Sequence, residues 1–149
     1  MKMKLGIVVV VGIMLALGAC SGEDLPPVSS TVLLDKADTT VLGDEFSYPG
    51  AENPEITSSI VRLEAGAETG WHLHEAPMYA YILDGTLEVT YDVNGAMVTK
   101  TYHEGDAIME GLDIPHIGKN LTNRPVSILV VNIGSSDLAN SVPLDAPEQ

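Results

Sequence analysis

The chain has few basic residues, a single cysteine and only four histidines. Seven lysines and arginines stand against 21 acidic residues, which gives a formal net charge of −14 at pH 7. Because a surface this acidic repels phosphate backbones and anionic headgroups, we expect no nucleic-acid partner. At 149 residues the chain is long enough for one ordinary domain and too short for two.

Long helical repeats are also missing. Beyond the first twenty residues, no segment keeps an apolar period of 3.6 over three turns. Glycine turns separate short apolar runs instead, and Asn94-Gly95 is a strong signal for a two-residue hairpin. This pattern predicts an all-β, antiparallel sandwich or barrel. The predicted strands cover residues 31–34, 56–65, 78–83, 86–93, 97–102 and 126–133.

The first twenty residues have the layout of a secretory signal. A basic start precedes an almost uninterrupted apolar run at residues 5–17, which is short for a membrane span. Residues 17–20 (Leu-Gly-Ala-Cys) resemble the lipobox of bacterial lipoproteins, which implies that Cys20 carries lipid as the first mature residue. The resemblance implies anchoring in the cell envelope by lipid alone. Ser21 favours the outer membrane of a Gram-negative cell, facing the periplasm.

The chain is accordingly predicted to have four parts. Residues 1–19 are the signal peptide, and the polar, proline-containing residues 20–30 form a tether. Residues 31–134 hold all the predicted strands and form the β domain. Residues 135–149 contain two prolines and few large apolar side chains, which predicts an irregular tail.

Common catalytic motifs are absent, but three histidines form a pattern. The sequence has no Gly-x-Ser-x-Gly elbow and no phosphate-binding glycine loop. His72 and His74 lie two residues apart in an extended segment, so both side chains must point to the same side. His116 follows in a later segment. Because neutral imidazole binds transition metals, these three residues predict a metal site.

The histidines stand in two motifs that resemble those of the cupin superfamily. The resemblance covers residues 56–133 and implies a jelly-roll β-barrel (a double-stranded β-helix). It implies an interior divalent metal on the three histidines, which could be iron, manganese, copper, zinc or nickel. It further implies a homodimer and a fold-supporting role for the motif asparagine. The matching positions are Gly66, His72, His74, Gly85, Gly105, His116 and Asn120.

Met78 departs from the family pattern. It stands where the resemblance implies a glutamate that is usually the fourth metal ligand. Three interpretations are open: Met78 packs in the core with Ala80 and Ile82, its thioether is a weak axial ligand that favours copper, or the metal has been lost and the cavity binds something apolar.

Two acidic residues lie near the histidines in sequence. Glu110 ends a strand beside apolar residues, where it could be a metal ligand or could orient a histidine. Glu75 is expected to be exposed, because a turn follows it. In the second motif, Gly111 and Asp113 replace the family's proline and glycine.

We therefore expect an envelope-anchored cupin that binds a divalent metal and binds or acts on a small molecule. A neutral three-histidine centre leaves coordination positions open for water or substrate. Catalysis and simple ligand capture both remain open. One alternative is a non-catalytic ligand-binding cupin that has lost the metal, and another is a degenerate cupin that serves only in protein contacts.

Overall fold

The computed structural model describes residues 35, 39–45, 48, 50 and 53–148. The predicted signal peptide, Cys20, the tether and the predicted strand at 31–34 lie outside the described residues. Every named regular element within the described part is a β-strand. No helix there is long and apolar enough to cross a membrane.

Nine strands are found among the described residues. Their bounds are β1 (Pro54–Leu63), β2 (His72–Leu73), β3 (Met78–Asp84), β4 (Thr86–Val93), β5 (Ala96–His103), β6 (Ala107–Met109), β7 (His116–Lys119), β8 (Val126–Ser135) and β9 (Val142–Pro143).

The strands form two antiparallel sheets. One has the order β1-β8-β3-β6 and the other the order β5-β4-β7-β2-β9. β1 pairs with β8 along its whole length, from Pro54 opposite Ser135 to Leu63 opposite Val126. Such pairing between strands distant in sequence is typical of a jelly roll. The predicted all-β, jelly-roll fold is confirmed.

The core lies between the two sheets. Side chains alternate across a strand, so β3 and β4 each bury every second residue. Apolar residues of both sheets meet in one buried cluster, which holds the sheets face to face. Its members are Leu63, Met78, Ala80, Ile82, Leu87, Val89, Tyr91, Ile108, Val126 and Ile128.

Gly85 makes the crossing between the two sheets. It is the single residue between β3 and β4, and its φ of +90° lies in the left-handed region. A Cβ atom at this position would lie 2.8 Å from the Pro125 carbonyl oxygen. Only glycine fits here without a shift of the backbone.

The predicted strands agree with the structure where the apolar alternation is long. β4 has the predicted bounds, and the turn at Asn94 and Gly95 has φ values of 55° and 86°, as a type I′ hairpin requires. β1 begins and ends two residues earlier than predicted. β7 was not predicted, and β9 lies within the tail that was expected to be irregular. A two-residue strand shows no alternation, and β9 forms only through pairing with the distant β2.

Asn120 supports the fold, as the resemblance implied. It is fully buried, and its amide nitrogen donates to the carbonyl oxygens of Leu63 and Arg124 at 3.1 and 2.7 Å. Its amide oxygen accepts from the Thr122 backbone N–H at 3.0 Å. These bonds tie the loop after β7 to the end of β1.

Candidate metal centre

Three histidines meet on two neighbouring strands. His72 on β2 lies opposite His116 on β7, and His74 follows β2 by one residue. One ligand nitrogen from each ring lies within 4.8 Å of the other two. The ring centroids are 4.4 to 5.1 Å apart. The structure therefore confirms the predicted three-histidine cluster.

Backbone carbonyls fix which nitrogen of each ring is free. A carbonyl oxygen only accepts hydrogen bonds, so the facing Nδ1 must carry the proton and the lone pair must be on Nε2. The buried Nε2 of His74 has no hydrogen-bond partner among the described residues. Three Nε2 lone pairs are thus available to one ion, and their rings are oriented by the backbone. The Nδ1 pairs are His72 with Gly70 (2.9 Å), His74 with Asn140 (2.5 Å) and His116 with Ile114 (2.8 Å).

Burial keeps two of these rings neutral. It lowers the pKa of His74 from 6.5 to about 4, against the opposing effect of the Asn140 carbonyl. Burial likewise lowers the pKa of His116 to about 4, and the neighbouring His72 adds to this effect. Because a metal binds the neutral imidazole, both ligands are in their binding form at neutral pH.

The cluster opens onto a cavity of about 330 Å³ between the sheets. Most of the exposed wall surface is apolar. Polar groups come from the three histidines, Glu110, Asn132 and Asn140, and from the hydroxyls of Thr57, Ser59, Thr69 and Ser141. The donor set of three neutral imidazoles fits iron, copper, zinc or nickel, whereas manganese would need further oxygen ligands beside them. The adjoining space leaves room for further ligands of such an ion.

One protein family model matches this chain. Residues 59–132 match the family model described as a cupin domain. The chain contains a cupin domain. The match includes all three histidines of the cluster. A comparison with curated protein sequences gives no significant match.

Solved structures of oxalate decarboxylases share the cupin fold. One from Bacillus subtilis is 25% identical, with a TM-score of 0.54 over 60% of this chain and 24% of that chain. Another from the same organism, studied for its Mn(II) centres, is 24% identical with a TM-score of 0.54. A formate complex of the Lactobacillus farciminis enzyme is 20% identical, with a TM-score of 0.53 over 60% of this chain and 26% of that chain. The matched part spans about a quarter of the length of these enzymes.

Met78 and Glu110 both line the cavity of the cupin domain. Met78 is buried and belongs to the core cluster. Its side chain therefore packs against the core and also faces the cavity. Glu110 is 6% exposed, and its carboxylate accepts the Gly111 backbone N–H at 2.9 Å. Among the described residues, the group of ligand atoms within 4.8 Å of one another contains only the three histidines. Glu110 therefore stands beside the ligand cluster and outside it.

The surroundings of Glu110 favour its protonated form. Burial raises the pKa of Glu110 above 4.5, while hydrogen bonds from the Gly111 N–H and the Tyr91 hydroxyl oppose this rise. Among the described residues that line the cavity, Glu110 is the only carboxyl. The cavity thus offers a single acid–base group of this type next to the histidines.

The C-terminal tail contributes to the centre, which sequence reasoning missed. The Asn140 carbonyl orients His74. Exposed Glu75 accepts the Ala139 backbone N–H at 2.6 Å, and the Leu144 N–H donates to the Trp71 carbonyl at 2.9 Å. These contacts hold the tail against β2. No local signal in residues 135–149 marks this role, because it rests on one backbone carbonyl.

Asp113, which stands where the family motif has a glycine, adopts a backbone conformation that favours glycine. Its φ is +56°, in the left-handed region, and its N–H donates to the His74 carbonyl at 3.0 Å. A non-glycine residue is strained in this region, although aspartate tolerates it better than most. The loop before His116 therefore adopts this conformation at a cost in stability.

Proposed function

We propose that this chain is an envelope-anchored cupin that binds a divalent transition metal through His72, His74 and His116 and binds or acts on a small molecule. The observation that carries the proposal is the convergence of three free Nε2 atoms on one cavity. Each Nδ1 is already committed to a backbone carbonyl, so the rings are arranged as in metal centres with oriented histidine ligands.

Manganese is the first ion to test. The oxalate decarboxylase of Bacillus subtilis, whose fold this chain shares, has Mn(II) centres. When bound, such an ion would polarise a substrate oxygen. The chain's own contribution would be to orient the ligand along the apolar wall and to hold or release a proton at the Glu110 carboxyl.

Metal titration of chelator-treated protein tests the proposal. Calorimetry with Mn(II), Fe(II), Co(II) and Zn(II) should give one site per chain for at least one ion. His72→Gln should abolish that site, because two imidazoles remain. His103→Gln is the matched control, since His103 is an exposed histidine on β5 that interacts with Thr86. Equal binding by His72→Gln and wild type would contradict the proposed ligand set.

Turnover separates catalysis from capture. Metal-loaded protein should be assayed for carbon dioxide release from oxalate and for oxygen uptake with small carboxylates, phenols and thiols. If Glu110 moves a proton in a reaction, Glu110→Gln should lower turnover and keep the metal. Metal and ligand binding without turnover would assign a capture role.

The second candidate function is a small-ligand cupin without metal. Met78 favours it, because this buried thioether stands where the motif has a carboxylate ligand. In that case metal addition would leave the thermal stability of the protein unchanged, and an apolar ligand would raise it.

Lipid anchoring is proposed from residues 17–20. Metabolic labelling with a palmitate analogue should mark the wild-type chain and not Cys20→Ser. Fractionation should then place labelled protein in the outer membrane of a Gram-negative host, on the periplasmic side. Labelling of Cys20→Ser to the same extent would contradict Cys20 as the modified residue.

A homodimer is also proposed, built on the outer face of β1. Ile56 and Ile60 lie on this face and are 73% and 66% exposed. Among the described strands, β1 is at the edge of its sheet, where a strand of a second copy can pair with it. Light scattering should give the mass of a dimer for wild-type protein. Ile56→Lys/Ile60→Lys should give a monomer with an unchanged fold. A monomeric wild type would exclude this interface.

A further inference from the structure

The wall of the cavity shows which ligands it suits. None of its described lining residues is lysine or arginine. Its volume of about 330 Å³ lies at the small end of the range of roughly 300–1,000 Å³ for ligand sites. Its apolar members come from both sheets. They are Val61, Met78, Ala80, Leu87, Val89, Ile108, Ile128 and Val130.

Three of the basic side chains are paired with acids outside the cavity lining. Arg62 contacts Glu64 at 2.9 Å. Lys119 contacts Glu68 at 3.3 Å, and Arg124 contacts Asp84 at 3.9 Å. A dicarboxylate too long to bind the metal with both ends could place one carboxylate at the metal, but its second would find no lysine or arginine among the described lining residues. Burying an unpaired charge in this way is strongly unfavourable.

Asn132 supplies a polar feature that the metal site does not use. It lies on β8 opposite Met78, is 6% exposed and lines the cavity. Its Oδ1 atom is buried and has no hydrogen-bond partner among the described residues. A buried acceptor without a partner destabilises a protein, and a ligand in the cavity can satisfy it once the Asn132 amide rotates to turn Oδ1 toward the cavity.

We infer that the cavity takes a small, neutral or singly charged molecule with an apolar body. Its polar end carries a metal-binding oxygen next to an N–H or O–H group, and that group donates to Asn132 Oδ1. The apolar body lies along the wall formed by β3, β4 and β8. The binding of the polar end rests on the proposed metal site. The preference for an apolar body does not depend on that metal site.

Three hydroxamates with one common head test this inference. Hexanohydroxamate has the metal-binding oxygens, an N–H and an apolar chain. Acetohydroxamate lacks four methylenes, and adipic monohydroxamate has a carboxylate in place of the terminal methyl group. Burial of one methylene contributes about 0.8 kcal/mol, which is about fourfold in affinity. In calorimetry with Mn(II)-loaded protein, hexanohydroxamate should therefore bind at least about tenfold more tightly than either analogue.

Asn132→Leu tests the hydrogen bond. This change removes the acceptor at similar side-chain volume. The affinity for hexanohydroxamate should fall about fivefold, because one hydrogen bond of about 1 kcal/mol is lost, and the metal content should stay unchanged. Asn123→Leu, an identical change at an exposed loop position, should leave affinity unchanged. Unchanged affinity in Asn132→Leu would overturn the assignment of Asn132. If Asn132→Leu does not fold, Asn132→Val takes its place, because it also removes the acceptor and should weaken the binding of hexanohydroxamate to a similar extent.

Metal content measured before each titration separates this inference from the proposed function. Protein that takes up no metal refutes the metal site, and the chain-length preference is then measured by NMR titration of metal-free protein with hexanamide and acetamide. Affinities within about threefold for the long and short members of either pair would overturn the inference. An adipic monohydroxamate that binds as tightly as hexanohydroxamate would do the same.

Discussion

Acidification should destabilise the metal-free protein through His74 and His116. Each has a pKa of 6.5 when unfolded and about 4 when folded, because burial disfavours the charged ring. Between these values the unfolded chain binds protons that the folded chain does not, so stability falls as pH falls from 6.5 to about 4. This difference in pKa corresponds to roughly 3 kcal/mol for each histidine. Two such losses are comparable with the whole stability of a small domain, about 5–15 kcal/mol.

Two effects of opposite sign reduce the observed change. The raised pKa of Glu110 means that the folded chain takes up this proton more readily, which adds stability as pH falls. Acidification also relieves repulsion within a chain of net charge −14. A difference between variants is therefore the informative quantity.

Urea unfolding in the presence of chelator provides the assay. The free energy of unfolding should be measured from pH 7 to pH 4.5 for wild type, His74→Gln/His116→Gln and the exposed control His103→Gln. Relative to the double variant, wild type should lose up to about 2.7 kcal/mol per pH unit, the limit for two additional protons bound on unfolding. The control should follow wild type. Parallel profiles for wild type and the double variant would refute the idea that burial holds these rings neutral.

Three further changes test the account of the fold and the tail. Gly85→Ala should destabilise the protein by more than about 2 kcal/mol in urea unfolding, because its Cβ would clash with Pro125. The control Gly95→Ala should destabilise it by only about 1 kcal/mol, because only the positive φ is unfavourable there. Equal losses would contradict the close approach at Gly85. Asp113→Gly should raise stability by about 1 kcal/mol because glycine relieves the left-handed strain, and a loss would show that the aspartate side chain has a stabilising role. Removal of residues 139–149 should weaken metal binding in calorimetry by about 10–100-fold, because the carbonyl that orients His74 is lost. Unchanged metal affinity in a folded truncated chain would exclude this role of the tail.

The sequence carried enough local information for most of the fold. β4 and the turn at Asn94 and Gly95 were predicted to the residue, since eight residues of alternation and a paired turn signal are both local. β7 and β9 were not predicted, because strands of four and two residues have almost no period. β9 pairs with β2, and β7 pairs with β4 and β2, which are far away in the chain.

In the candidate site, too, local features could be predicted and features that depend on distant contacts could not. The spacing of His72, His74 and His116 was sufficient to predict their convergence, because alternation and the motif fix their direction. This reasoning could not find the Asn140 carbonyl, or the Asn132 amide oxygen that has no partner among the described residues. Their roles arise from tertiary packing of the tail and of β8, and neither residue type is distinctive in sequence.

X-ray absorption by zinc-loaded protein tests the central claim most directly. The account predicts three imidazole nitrogens at about 2.0–2.1 Å, with the remaining positions filled by oxygen. Multiple scattering from fewer than two imidazole rings, or a first shell that is unchanged in His116→Gln, would contradict a centre formed by His72, His74 and His116.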